Sequence, residues 1–308
     1  MKWFKIILLF ISLLSTVVVH GQDSVVIKEL ASDYNNASND SIRLRVILLV
    51  LNSTGLDDID TAIYLAERGM ELALSQKDSN ALKSVNMSLS KFAVARNKYS
   101  DALRYDLVAL RITEAIKDTL SQAVILNSVG EDYSLLDLYE EAFDYYNQSL
   151  ELAKEKGYLL QEAIAEFNIG KLYLTTGELS KAQEYLDHSM KISQSIGDTL
   201  GLAYVKNELA LILTEEEKYD SALQDLQKAY DISSRFNEDI LTPEIVLNMS
   251  RVFVKKSLFD VALIHYDQAL EIYEKQNSQG GIATVLFGKG QLMTEQEKHS
   301  EAKSLYFR

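Results

Sequence analysis

Residues 121–160 read SQAVILNSVGEDYSLLDLYEEAFDYYNQSLELAKEKGYLL, and residues 161–200 read QEAIAEFNIGKLYLTTGELSKAQEYLDHSMKISQSIGDTL. Laid one above the other, these lines place Ala123 over Ala163, Gly130 over Gly170, Tyr133 over Tyr173, Ala142 over Ala182 and Ser149 over Ser189. The same forty-residue register extends in both directions, through Ala62, Ala102, Ala142, Ala182, Ala222, Ala262 and Ala302. A self-similarity of fixed period is the sequence signature of a repeat architecture, so the period is read before any individual element.

Seven residues after each of these alanines stands a second small residue: Gly69, Ala109, Ser149, Ser189, Ala229 and Ala269. Three further on is an aliphatic column of Leu72, Ile112, Leu152, Ile192, Ile232 and Ile272. Spacings of seven and three share one face of a helix, which the sequence assigns as the inner face of the second helix of a hairpin. A first helix has its own small column at Ser90, Gly130, Gly170, Ala210, Ser250 and Gly290. A glycine within a helix costs about 1 kcal/mol relative to alanine, so glycines at matching positions imply a close backbone approach.

Capping signals keep the same register. Lys77-Asp78-Ser79, Lys117-Asp118-Thr119 and Gly197-Asp198-Thr199 are placed to end one helix and cap the next. Turns within hairpins are short and polar, as at Thr175 to Glu178 and Glu215 to Lys218. Pro243, the only proline, falls near the first turn of its helix, where the missing N–H is tolerated.

The residues Ala123, Asn127, Gly130, Tyr133, Tyr139, Ala142, Tyr146, Ser149 and Leu150 resemble the tetratricopeptide repeat pattern of small and aromatic positions. Ala163, Asn168, Gly170, Tyr173, Leu179, Ala182, Tyr185 and Ser189 resemble it again. The resemblance covers residues 40–308 as about seven repeats, the last incomplete, with a forty-residue unit in place of the commoner one of about 34. It implies an all-α, right-handed superhelical solenoid of antiparallel helix hairpins. Exported bacterial repeat proteins and the repeat-built sensor regions of signal transducers are the similar systems.

Lys2 and Lys5 precede an apolar run from Ile6 to Val19, which reads as a signal peptide ending at Gly21, too short to span a bilayer. Residues 22–39 read as an N-terminal cap or linker. The expected location is therefore periplasmic or extracellular. The chain has no cysteine, so no disulfide supports it. Its formal charge of −14 argues against nucleic acid as a partner, because phosphate binding needs a basic footprint. The repeat ends inside a second helix at Arg308, which leads us to expect either more chain or completion by another molecule.

Catalytic chemistry finds no foothold. His188, His265 and His299 fall in three different second helices and read as surface residues. Paired carboxylates such as Glu140-Glu141 sit at helix starts, where negative charge suits the helix dipole. Gly288-Lys289-Gly290 lies within a helix and lacks the spacing of a phosphate loop. No catalytic residue, metal or cofactor is expected.

Helical solenoids bind along the face formed by successive first helices. By resemblance to the family, that face lies six and three residues before the first-helix small column and one and four after it. The positions with most recognition chemistry are Asn127, Glu131, Phe167, Lys171, Tyr204, Asn207, Arg251 and Phe287. Lys91, Lys171 and Arg251 are basic residues two repeats apart on an acidic chain, which points to a ligand with acidic groups. The carboxylate clamp of some family members is missing, since Asn127 is followed by Glu131 and Phe167 by Lys171. The sequence therefore predicts an exported scaffold that binds a protein or peptide in a groove. The alternative is the extracytoplasmic sensory region of a membrane-bound transducer, with a histidine kinase or helix-turn-helix output beyond residue 308.

Overall fold

A computed structural model describes residues 37–52, 59–236 and 240–307. The expected signal peptide and most of the linker lie outside the described residues. Fourteen helices follow one another among the described residues, with no strand between them. They form seven successive hairpins: α1 (Asp40–Asn52) with α2 (Ile59–Gln76), α3 (Ser79–Ala95) with α4 (Tyr99–Ile116), and α5 (Thr119–Leu135) with α6 (Tyr139–Lys156). There follow α7 (Leu159–Thr175) with α8 (Leu179–Ile196), α9 (Thr199–Glu215) with α10 (Tyr219–Arg235), α11 (Leu241–Lys255) with α12 (Phe259–Lys275), and α13 (Gln279–Glu295) with α14 (His299–Tyr306). The chain divides into two compact units, residues 1–148 and 149–308.

The alanine column does what its small size requires. Ala62, Ala102, Ala142, Ala182, Ala222 and Ala262 are fully buried, and Ala302 almost so. Gly69, Ala109, Ser149, Ser189, Ala229 and Ala269 are buried with them. The aliphatic column is a correction: beyond Leu72, its members Ile112, Leu152, Ile192, Ile232 and Ile272 are only half-buried. The residue after each takes the inner position instead, namely Ala73, Thr113, Ala153, Ser193 and Ser233. The steps from Ala182 through Leu186 and Ser189 to Ser193 are four, three and four, an a/d seam in which every inward residue but the second is small. The bulky aliphatic flanks this seam, where there is room for it.

In first helices, a column of Val85, Ile125, Ala165, Val205, Ile245 and Val285 carries the core, none of it more than 1% exposed. Gly130 and Gly170 mark close approaches, although what approaches is chiefly a side chain. A Cβ on Gly130 would lie 2.5 Å from the Tyr146 ring, and one on Gly170 would lie 2.8 Å from Leu186 Cγ. Both partners come from the second helix of the same hairpin, where they hold the one large position of the seam.

The turns follow a period of twenty. Left-handed residues occur at Lys77, Asn97, Lys117, Asp137, Gly157, Gly177, Gly197, Glu217, Ser257, Asn277 and Glu297, although only three of them are glycine. The caps read from sequence are present. Asp78, Asp118 and Asp198 accept hydrogen bonds from the backbone N–H of Ala81, Ser121 and Gly201 at 3.0, 3.1 and 2.9 Å. Ahead of the second of these, Lys117 turns left-handed and the Asp118 N–H donates to the Thr113 carbonyl at 2.9 Å, closing the end of α4. Pro243 is the third residue of α11, within the turn whose N–H groups have no intrahelical partner.

Candidate functional site

Within residues 149–308, each first helix touches the first helix of the next hairpin, α7 with α9, α9 with α11, and α11 with α13. Their shared face carries the candidate residues of this unit. Phe167 on α7 meets Tyr204 on α9 edge to face, with ring centroids 6.1 Å apart and planes at 76°. Lys171 is exposed one turn further along α7. Phe287 on α13 is 56% exposed and lies beside the Tyr306 ring at 5.8 Å.

Between α9, α11 and α13 the face deepens into a cleft of about 380 Å³. Leu211, Val254 and Leu292 give it apolar walls, while Thr214, Asn248, Gln291, Arg251 and Lys255 supply polar groups. Glu215 and Glu295 stand at its acidic edge, and the Tyr266 ring reaches it from α12. Gly288 makes that reach possible, since a Cβ there would lie 2.8 Å from the Tyr266 ring and hydroxyl. Burial raises the pKa of that hydroxyl, with Arg251 opposing and Glu295 reinforcing the shift.

Under this face runs a chain of buried polar groups. Asn207, fully buried, donates to Glu208 Oε1 at 3.3 Å and to Glu244 Oε1 at 3.2 Å, and accepts from Asn248 Nδ2 at 2.9 Å. Asn248 in turn accepts from the Arg251 guanidinium at 3.0 Å. Burial pushes the Glu208 carboxyl up to about 7, with the Glu244 charge adding to the rise, while Lys171 and the Asn207 amide pull it down. The arrangement fixes Arg251 at the cleft by a hydrogen bond that leads back, amide to amide, to two carboxyl groups.

Of the eight candidates, Arg251 alone lines the cleft. Asn207 lies beneath the groove surface rather than on it, and acts on Arg251 through Asn248. Among residues 1–148, Asn127 is likewise buried, with its Nδ2 3.5 Å from the Ala123 carbonyl, while Glu131 and Lys91 are exposed. Sequence reasoning missed Asn248, Lys255, Tyr266, Gly288 and Glu295. Four of these lie two before or five after the small column, so the stripe is wider than the assumed four positions. Tyr266 carried no such signal, because it belongs to a second helix.

Of the histidines, His265 departs from a surface role. It stacks on Phe253 at 5.0 Å with planes 5° apart, and burial lowers its pKa. His188 lies 3.8 Å from the buried Glu166. Gly288-Lys289-Gly290 is helical, and Lys289 pairs with Asp267 at 2.5 Å. No group of three His, Cys, Asp or Glu residues among the described residues could hold a metal ion, and no described helix is long and apolar enough to cross a membrane.

Successive hairpins of this kind, with small residues recurring along the seam of each second helix, define a helical-repeat protein. Residues 121–195 and 200–275 match the tetratricopeptide repeat family, and the chain carries tetratricopeptide repeats. Among solved structures, NprR in complex with its cognate peptide NprX shares 14% identity at a TM-score of 0.69, covering 92% of this chain and 84% of that one. A Rap protein complexed with Competence and Sporulation Factor shares 13% at 0.65, covering 93% and 90%. Aspartyl phosphate phosphatase F from Bacillus subtilis shares 16% at 0.67, covering 80% and 64%. At such identities the likeness is one of fold. No curated protein matches the sequence.

Proposed function

We propose that this protein is a non-catalytic scaffold that binds a peptide, or an extended segment of a protein, along the first helices of residues 149–308. The observation that carries the reading is the cleft at Arg251: apolar walls for a side chain, and a guanidinium braced by Asn248 for an acidic group. Lys171 extends the basic character along the same face. NprR in complex with its cognate peptide NprX and the Rap protein complexed with Competence and Sporulation Factor support this reading through their fold.

Export through the apolar segment at residues 6–19 belongs to the same proposal, and places the ligand outside the cytoplasm. A sensory region of a transducer is the second reading, favoured by the likeness to a signal-transduction ATPase with a tetratricopeptide repeat sensor from Pyrococcus horikoshii, at 18% identity and a TM-score of 0.58.

The test begins with random linear peptides displayed on phage and selected against the protein. A selected peptide is then titrated by fluorescence anisotropy against the wild type and the Lys171→Glu, Arg251→Glu double variant. The expected result is binding that weakens about tenfold or more with helicity unchanged, in line with the cost of reversing a charge beside an acidic group. Failure to select any linear peptide, or equal affinity for both proteins, would reject the groove.

A further inference from the structure

Two positions break the repeat in the same place. The seam column that holds Ala66, Tyr146, Leu186, Leu226 and Tyr266 carries Asp106 on α4. The first-helix column that holds Phe92, Leu172, Ile212, Val252 and Leu292 carries Asp132 on α5. Each departure puts a carboxyl where its counterparts are apolar, and the two meet. Asp106 is 3% exposed and Asp132 is 2% exposed. Ser90 on α3 donates to Asp106 Oδ2 at 2.8 Å, Asp132 Oδ2 has no hydrogen-bond partner, and the two carboxyl groups are close enough for each to act on the other's ionisation. Two neighbouring carboxyl groups buried without a cation disfavour the doubly ionised state, and since a carboxylate only accepts, they can hydrogen-bond to each other only when one carries a proton.

We propose that Asp106 and Asp132 form a proton-operated joint between α4 and α5, closed while the pair shares a proton and forced apart when both groups ionise. The surroundings suit that role. Glu131, on α5, adds a negative charge that disfavours ionisation of both aspartates, while Lys91 on α3 favours the ionised form of Asp106 from an exposed position. Tyr146 on α6 faces Asp132 and Glu131, and stays protonated because burial and both charges raise its pKa. No buried cation compensates a doubly charged pair among the described groups that face it.

Burial pushes Asp106 up to about 7 and Asp132 up to about 8, and the two titrate as one coupled pair. In the unfolded chain both ionise near 4, approximately. The folded state therefore binds more protons from about pH 4 to about pH 8, and stability falls as pH rises through that interval. If the groove reading holds, this joint also sets the spacing of α3 and α5, whose open faces carry Lys91 and Glu131.

The test compares thermal melts of the full chain at pH 5 and pH 8.5 for the wild type and for the Asp106→Leu, Asp132→Leu double variant, leucine being the residue at the matching positions 186 and 226, and 172 and 292, of later repeats. Repulsion across the acidic surface acts on both proteins alike, so the difference between their pH responses isolates the pair. The wild type is expected to lose several degrees more than the variant on going to pH 8.5, on the order of 5 °C. Equal losses would overturn the joint. Infrared spectroscopy of the same two proteins gives a second readout. Because Glu208 also holds a proton near pH 6, the protonated-carboxyl band at pH 6 should be larger in the wild type than in the double variant, and equal bands would overturn the proposal as well.

Discussion

The side-chain amide of Asn248 on α11 donates to Oδ1 of Asn207 on α9 at 2.9 Å, joining two consecutive hairpins beneath the groove. Both residues are buried, and Asn207 spends its own N–H groups on Glu208 and Glu244. Asn207→Ala removes the donor from two carboxyl groups and the acceptor from Asn248 at once. Leaving buried polar groups unsatisfied costs roughly 1–3 kcal/mol each, so the variant should lose at least about 2 kcal/mol in urea unfolding. Asn207→Asp keeps the acceptor but sets a third carboxyl among two, and should be less stable at pH 8 than at pH 5.

The seam tolerates little volume. Gly130→Ala gains about 1 kcal/mol of helix propensity, but places a Cβ at 2.5 Å from Tyr146, in a position the ring cannot yield without shifting. Overpacking costs about 1–3 kcal/mol, and the net expected is a loss. Gly130→Ala combined with Tyr146→Leu, the residue at the equivalent position of the next repeat, should recover part of it. Thermal melts of the single and double variants check both statements.

Glu217 sits in the left-handed region at φ 60° where Gly177 stands one repeat earlier. A non-glycine residue there pays about 1–2 kcal/mol, part of which glycine returns as extra freedom in the unfolded chain. Glu217→Gly should therefore raise stability by about 0.5–1 kcal/mol, measured as a shift of the urea midpoint at unchanged slope.

Asp118 caps α5 and pairs with Lys83 at 2.5 Å, and hydrogen bonds from Lys83 and Ser121 hold its carboxyl down at about 2. A lowered folded pKa contributes stability that is present above the unfolded value and lost as pH falls from about 4 through about 2. Lys83→Met should move the Asp118 titration upward in carbon-detected NMR while the backbone cap to Ser121 remains. A titration that stays in place would show that the cap alone holds the carboxyl down.

The hairpins were legible because packing imposes them on every repeat: where helices touch closely only small residues fit, and Ala182 or Ala222 reports that contact directly. The core columns of the first helices were less visible. On α7, Ile169 is fully buried while Ile164 is exposed, and hydrophobicity does not separate the two. The register of the turns was legible from Lys77-Asp78-Ser79 and Glu215 to Lys218, but the left-handed conformation of Lys77 and Glu217 was not, because it is usually given to glycine. Of the groove, Arg251 was legible as a cation on an acidic chain. Asn248 and Tyr266 were not, since one became important through an amide partner and the other through the absence of a side chain at Gly288. Asp106 and Asp132 were visible as residues, but their meeting depends on how α4 lies against α5, which no spacing along the chain encodes.

The most direct test of the scaffold reading is to place a photo-reactive amino acid at Gln291, which lines the cleft, and at Ile264, which is 57% exposed on the second helix α12. A peptide selected against the protein should cross-link efficiently from position 291 and not from position 264. Cross-linking from position 264 alone would contradict the account, because the ligand would then lie on the second helices and not in the groove.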